Sequence, residues 1–437
     1  MSNKNSFANN FIVLFSSNVF QLLLGVVTNV IVARWLSPEG LGLKTVLANF
    51  PTLFVTFFEM GTRQSTIYFI GNKRYDDSHL FSNINALWLL SSTIGLLVYG
   101  VLSHFQFRNV SVTLIIVSAL YIPIFIGRSF MNGILLGKQL IKKLAVFNTL
   151  NAFITPLLTL LFLVVFDWGV LGVLLASQLT AFYTLMVRVI LLRKELSLKF
   201  SLGMDFKIVK DLFSHGFYYA VALFITSNFT LIPIFLMNNR VSSHEIGIYS
   251  VGSAFAILLK TVISSTFPIL FAKGANAKDK LSFSQKCHSF LRLSLLFLPI
   301  VAVILYVMVG YLIPLMYGPN YAGSVTITRI MLLGVCVFVL QTVLIMDMAG
   351  KGRPQVTIKA TLPAFLLCVL FNYYGIGKYG NMGAAASTSI AMLVCGVSYL
   401  VVYSKETGIS VVEILKPRYS DFQGLKAQLK TIIKTKR

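Results

Sequence analysis

Phe11–Ala33 reads FIVLFSSNVFQLLLGVVTNVIVA and Ala145–Phe166 reads AVFNTLNAFITPLLTLLFLVVF; neither run contains a charged residue. An α-helix rises about 1.5 Å per residue, so each run is long enough to cross the ~30 Å hydrocarbon core of a bilayer. Inside lipid every backbone polar group must be paired within the protein, which leaves helices and closed barrels as spanning structures. Barrel strands would alternate apolar and polar residues over about 10 positions. These runs are continuously apolar, so they are helices.

The pattern recurs along the chain. Hydrophobic residues make up 56% of the sequence and charged residues 12%, against about 25% charged in a soluble protein. Hydropathy predicts an all-α integral membrane protein of about twelve spans, at roughly 11–33, 41–61, 82–102, 111–134, 144–166, 169–192, 213–236, 246–271, 290–312, 326–348, 357–376 and 381–403. The N-terminus is short and polar, and the first apolar run is too long for a signal peptide, so it reads as a retained span.

Lys and Arg number 37 against 14 Asp and Glu, a net charge of +23. In a soluble protein that balance would suggest nucleic acid; here it marks loops, and nucleic acid is not an expected partner. Basic residues crowd the loops on the side of the termini. The opposite loops carry Arg34, Arg108, Arg240 and Lys378. Because basic loops stay in the cytoplasm, both termini are expected there, in a multi-pass protein of the cytoplasmic (inner) membrane. The basic tail from 404 to 437 would lie along anionic membrane lipids, or simply serve topology. The cysteines show no CxxC or Cys/His spacing, so neither a disulfide framework nor a metal is expected, and no cofactor.

An internal repeat is legible. Ser37-Pro38-Glu39-Gly40-Leu41-Gly42 with Val46 matches Ser242-Ser243-His244-Glu245-Ile246-Gly247 with Val251 at a constant offset. Trp168-Gly169-x-x-Gly172 matches Tyr379-Gly380-x-x-Gly383, and Gly137-Lys138 matches Gly350-Lys351. Three matches in order point to duplication. A six-helix unit begins and ends on one side, so its copy keeps its orientation, as in many transporters that hold substrate between their halves. The expected organisation is an N-terminal lobe (1–192), a basic cytoplasmic linker (193–212), a C-terminal lobe (213–403) and the tail.

At these residues the sequence resembles a known family. Ala33-Arg34-Trp35-Leu36-Ser37-Pro38-Glu39-Gly40-Leu41-Gly42 is similar to the first-loop pattern of O-antigen-type polysaccharide-unit flippases, members of the multidrug/oligosaccharidyl-lipid/polysaccharide exporter superfamily. Glu245-Ile246-Gly247-Ile248-Tyr249-Ser250 and Leu315-Met316-Tyr317-Gly318-Pro319-Asn320-Tyr321 are similar to later motifs. The resemblance covers nearly the whole chain. It implies a V-shaped pair of six-helix lobes, with helices 1, 2, 7 and 8 lining a central cavity. It implies an undecaprenyl-pyrophosphate-linked saccharide as cargo, moved to the outer leaflet by alternating access. A polysaccharide polymerase and chain-length proteins are the corresponding candidate partners.

Charged residues inside spans are the default functional candidates. Lys260 lies deep in helix 8 and faces either a wet cavity or a buried partner. Lys44 lies one turn into helix 2 and either lines the cavity or snorkels outward. Arg34 and Arg240 sit at matched outer helix ends, as cavity cations or interfacial anchors. Arg128 in helix 4 and Arg329 in helix 10 complete the candidates, while Arg188 and Arg292 are expected at interfaces. On helix 1, Asn18, Gln21, Gly25, Thr28 and Asn29 recur at helical spacing; helix 7 carries Thr226, Ser227, Asn228 and Thr230. Such faces line a cavity or glue helices together. Pro51, Pro233 and Pro268 are expected to bend helices 2, 7 and 8.

Competing functions are constrained by what is missing. No Gly-x4-Gly-Lys-Ser/Thr loop occurs. A polymerase or ligase would need an outer catalytic loop with His, Asp or Glu, and the longest outer loop, near 313–325, has none. The alternative is a cation-coupled multidrug antiporter of the same superfamily. That function asks for a mid-membrane carboxylate, whereas Glu59 and Asp347 lie near cytoplasmic ends.

Overall fold

The structure, a computed structural model, describes residues 2–264, 280–419 and 421. Side-chain surroundings are described from Phe20 onward, apart from Ile141, Lys142, Ala145, Lys280 and Ser282. The side chain of Asn18, all of Pro268, Lys273 and Lys278, and the tail beyond Asp421 therefore lie outside the described residues.

The described elements are α1 (Ser2–Phe58), α2 (Thr62–Gly71), α3 (Asp77–Gln106), α4 (Val112–Ala119), α5 (Tyr121–Gly137), α6 (Ile141–Leu160), α7 (Gly169–Leu196), α8 (Phe206–Asn228), α9 (Leu231–Met237), α10 (Ser243–Ser264), α11 (Lys280–Tyr317), α12 (Gly323–Gly350), α13 (Pro354–Thr407) and α14 (Val411–Leu415). Among the described residues, ten stretches are long and apolar enough to cross a membrane. Two of them double back, α1 at Ser37 (φ 62°, ψ 167°) and α13 at Gly380 (φ 57°, ψ −135°), which gives twelve crossings. Gly380 adopts a conformation that a side chain would strain. Its repeat partner Gly169 also has positive φ, at 52°.

Proline explains the other breaks. Pro233 leaves the carbonyl four residues earlier, on Phe229, without its helical donor. The helix parts there into α8 and α9, and Cys368 Sγ approaches that carbonyl at 3.8 Å. Pro51 leaves the Leu47 carbonyl free in the same way, but α1 continues because Ser118 Oγ donates to it at 2.5 Å. The linker is fastened to α3. Asn85 Nδ2 donates to the Ser201 carbonyl at 3.1 Å, and the Asp205 N–H donates to Asn83 Oδ1 at 2.7 Å, while the Asp205 carboxylate caps α8.

Candidate functional site

Twelve crossings put the start of α1 and the end of α13 on one face, the face of the termini. The two repeats meet most tightly at the other face. A Cβ built on Gly42 would lie 1.8 Å from the Ser243 carbonyl oxygen, and one on Gly247 would lie 2.0 Å from the Pro38 carbonyl oxygen. The pairs are equivalent under the sequence offset, because Pro38 corresponds to Ser243 and Gly42 to Gly247. The contact is thus a reciprocal backbone crossing about a local two-fold axis. Glycine is required on both sides.

Two further ties flank it and are also equivalent under the repeat. At the end of the first crossing, Arg34 Nε donates to the Met316 carbonyl at 2.7 Å and Nη2 to that of Leu315 at 2.5 Å, while Tyr321 OH donates to the Ala33 carbonyl at 2.9 Å. At the corresponding end of α9, Asn238 Nδ2 donates to the Gln106 carbonyl at 3.0 Å, Asn239 Nδ2 to Gln106 Oε1 at 3.2 Å, and Gln106 Nε2 to the Phe235 carbonyl at 3.3 Å. Phe50 stacks on Phe235 at 5.7 Å between these ties and the interior. This face is sealed.

On the face of the termini, α2 runs against α8. Gly61 and Gly216 allow backbone approach, and Ser65 Oγ donates to the Leu212 carbonyl at 2.7 Å. Arg74 pairs with Asp211 at 2.5 Å, and Tyr75 OH donates to the same carboxylate at 2.5 Å. His215 stacks on Tyr68 at 4.2 Å. A cavity of about 310 Å³ opens here, lined by residues including Arg74, Asp211, His215, Tyr219 and Gln355.

The predicted cations fall into two groups. Arg34 is spent on the seal. Arg240 donates to the Tyr373 carbonyl at 2.5 Å and stacks on its ring, and Arg329 treats Tyr306 in the same way, at 3.2 Å to the carbonyl. These three hold helix ends together. Lys44, Lys260 and Arg128 are half-buried, and none pairs with a carboxylate among the described residues. The Lys260 ammonium rests 4.7 Å from the centre of the Phe338 ring on α12, and the Arg128 guanidinium 5.0 Å from that of Phe125.

The acids are arranged in the opposite way. Glu59 accepts from Ser129 Oγ at 2.6 Å, with Arg63 at 3.6 Å. Asp347 is fully buried, with Lys351 at 2.7 Å, Tyr403 OH at 2.6 Å and Ser284 Oγ at 3.0 Å. Both carboxylates have a cation of their own, and the three candidate cations have no carboxylate.

Among the polar candidates, Asn29 is exposed, and Gly25 beside it has open space around it. Gln21 is half-buried, and Thr226 bonds back to the Ala222 carbonyl of its own helix. Asn228 is fully buried, its Nδ2 donating to the Phe224 carbonyl of its own helix at 2.8 Å. Two expectations change. Arg188, expected at an interface, is 3% exposed and held by Asn132 Oδ1, Asn148 Oδ1 and the Thr184 carbonyl. Arg292, expected likewise, is buried in an ion pair with Asp421 at 2.7 Å. Sequence reading placed both by hydropathy depth, which is blind to neutral partners on other helices and to a returning tail.

The sequence profile of the family described as polysaccharide biosynthesis protein matches residues 7–271. A putative O-antigen transporter from Shigella flexneri is 22% identical over 384 residues, 83% of this chain and 89% of that one. Among solved structures, the lipid II flippase MurJ in an inward closed conformation superposes with a TM-score of 0.73 at 15% identity, covering 96% of this chain and 92% of that one. An inward-facing multidrug resistance MATE family transporter of the MOP superfamily gives a TM-score of 0.68 at 14% identity, covering 91% and 98%.

Proposed function

The chain belongs to the polysaccharide biosynthesis protein family, and from that premise we propose that it is a flippase for an anionic, lipid-linked saccharide unit, an undecaprenyl-pyrophosphate-linked one in the form the sequence resemblance suggests. The lobes 1–192 and 213–403 would rock about the linker to expose the space between them to each leaflet in turn. The basic loops assign the face of the termini to the cytoplasm and the sealed face to the outside of the inner membrane.

One observation carries this reading. Within the spans the carboxylates Glu59 and Asp347 have their own cations, while Lys44, Lys260 and Arg128 have no acid. A lone charge in the membrane is costly unless it meets water or a counter-charge. Cations without acids call for an anion that is not part of the chain, and a pyrophosphate head supplies one. A cation-coupled drug antiporter would need a carboxylate free to take up the coupling ion. The Shigella flexneri relative, named as a putative O-antigen transporter, supports a saccharide cargo. Moving one negative charge out of a negative cell gains about 2.3 kcal/mol per 100 mV, so the membrane potential favours export.

The test is deletion followed by fractionation of the lipid-linked intermediates. Repeat units should accumulate on the inner leaflet while drug tolerance stays unchanged. Normal surface polysaccharide together with lowered drug tolerance would overturn the flippase reading.

A further inference from the structure

Arg188 is the most buried charge in the N-terminal lobe among the described residues. It is 3% exposed, and its acceptors are two side-chain amides and one backbone carbonyl: Asn132 Oδ1 at 2.7 Å, Asn148 Oδ1 at 2.9 Å and Thr184 O at 2.7 Å. No carboxylate pairs with it among the described residues. Neutral oxygens satisfy the hydrogens of a buried guanidinium without cancelling its charge. Arg128 adds a second cation on the same lobe, close enough for the two charges to interact. It lies one helical turn from Asn132, on the same face of α5. It is half-buried and makes a ring contact with Phe125 but no hydrogen bond.

The amides complete the pattern. Asn132 and Asn148 each give their oxygen to Arg188, and neither Nδ2 group has an acceptor among the described residues. The cluster therefore combines the Asn132 and Asn148 amide N–H groups and the Arg128 guanidinium, none of them hydrogen-bonded among the described residues, while the amide oxygens are engaged by Arg188. Both arginines also sit at similar depth. Arg128 is nine residues from the end of α5 and Arg188 eight from the end of α7, about 12–14 Å from the face of the termini.

We infer that Arg128, Arg188, Asn132 and Asn148 form a diphosphate-class anion site inside the N-terminal lobe, separate from Lys44 and Lys260. Forked guanidinium groups match the paired oxygens of a phosphoryl group, and amide donors add neutral hydrogen bonds. Arg128 is the open side of the site and Arg188 its buried floor. The inference rests on reading the chain as a carrier of an anionic lipid head. It places a station for that head about 12–14 Å from the face of the termini.

The experiment uses the purified full-length protein in detergent, with inorganic pyrophosphate and farnesyl diphosphate as probes and sodium chloride at matched ionic strength as reference. The wild type should show a saturable rise in unfolding temperature with diphosphate. Arg128→Gln should weaken apparent affinity at least tenfold while its unliganded unfolding temperature stays within a degree or two of the wild type. Arg188→Gln is read only if it folds; Arg128→Gln decides, because that side chain bonds to no other helix. Equal affinity for both probes would assign the site to the shared diphosphate group, and a preference for farnesyl diphosphate to the lipid head; both support it. Unchanged affinity in Arg128→Gln, or no stabilisation of the wild type, would overturn the site. Transport of a lipid-linked saccharide by wild-type proteoliposomes tests the flippase reading separately, so the two can fail independently.

Discussion

Replacing Gly42 by alanine should break the outer seal. The new methyl would lie 1.8 Å from the Ser243 carbonyl oxygen, well inside the 3.0 Å below which real Cβ contacts essentially never fall. Both groups belong to helix backbones, so no rotamer change relieves the clash. The second half of α1 and α10 must part by more than an ångström. The seal's flanking bonds start at 2.5 and 2.7 Å for Arg34 and 3.0 Å for Asn238, so a shift of that size stretches them towards breaking. Overpacking of this kind costs about 1–3 kcal/mol. Placed wholly on the sealed state, that energy shifts the equilibrium towards the open state by about 5–150-fold. The assay is labelling of Asn29→Cys, in a background without the native cysteines, by a membrane-impermeant maleimide added outside. Asn29 is exposed in the span beneath the seal. Gly42→Ala should raise the labelling rate at least fivefold. Gly247→Ala should match it within about threefold, since its methyl would meet Pro38 O at 2.0 Å. The double variant should add little, because one seam is widened once. Gly25→Ala, with nothing within 4 Å of its Cβ, is the control and should change nothing. Wild-type labelling rates in both alanine variants at normal abundance would refute the seal.

Three other expectations follow. Lys260→Ala should abolish surface polysaccharide, normalised to membrane protein level, whereas Lys260→Arg should retain part of it; full export by the alanine variant at normal abundance would remove Lys260 from the pathway. Burial alone would raise the Asp421 carboxyl, but hydrogen bonds from Arg292, Ser289 and the Arg418 amide, with the Arg292 charge, hold it down at about 2. Its contribution is thus complete above the unfolded carboxylate range near 4 and is lost as pH falls towards 2. Proteolytic release of the tail should therefore be equal at pH 5 and pH 8, while Asp421→Asn, which leaves Arg292 buried without its counter-charge, should release it at both. Finally, cysteines at the exposed positions 109 and 320 should label from outside and one at the exposed position 201 from inside; the reverse pattern would invert the topology.

Much of the fold was legible because lipid makes the rules strict. Length, hydropathy and the Ser-x4-Gly and Gly-x-x-Gly matches gave twelve helices and two repeats. The same motifs held more than the repeat: Gly42 and Gly247 correspond because each half offers its glycine to the other's backbone. That partner is a carbonyl two hundred residues away, and no local pattern points to it. The candidate site was legible in kind and only partly in place. Depth singled out Lys260 and Lys44, which pair with no carboxylate among the described residues. Depth could not tell Arg240 and Arg329, each taken by a tyrosine carbonyl and ring, from Arg128, which has no hydrogen-bond acceptor. It also undervalued Arg188, whose side-chain partners Asn132 and Asn148 come from two other helices, a coincidence that folding alone creates.

The two closures differ in kind, and the difference bears on how such a protein cycles. The outer seal is built from backbone contacts and hydrogen bonds to carbonyls, repeated about a local two-fold axis. The seam between α2 and α8, on the face of the termini, relies on Ser65, a glycine contact and the Arg74–Asp211 pair. That pair is half exposed on the arginine side, and ion pairs of this kind are worth about 0.2–1 kcal/mol. Hydrogen bonds like those of the outer ties contribute about 0.5–1.5 kcal/mol each. Neither closure contains a buried ion pair between the lobes among the described residues; the buried pairs, Asp347–Lys351 and Arg292–Asp421, lie within one half. Strong ionic bonds are thus kept where a lobe must stay rigid, and weaker contacts are placed where the lobes must part. Closures built from such contacts can exchange when a bound anion contributes a few kcal/mol to one state. A cross-lobe ion pair sealed from water would instead fix a single state, since opening it would strand both charges.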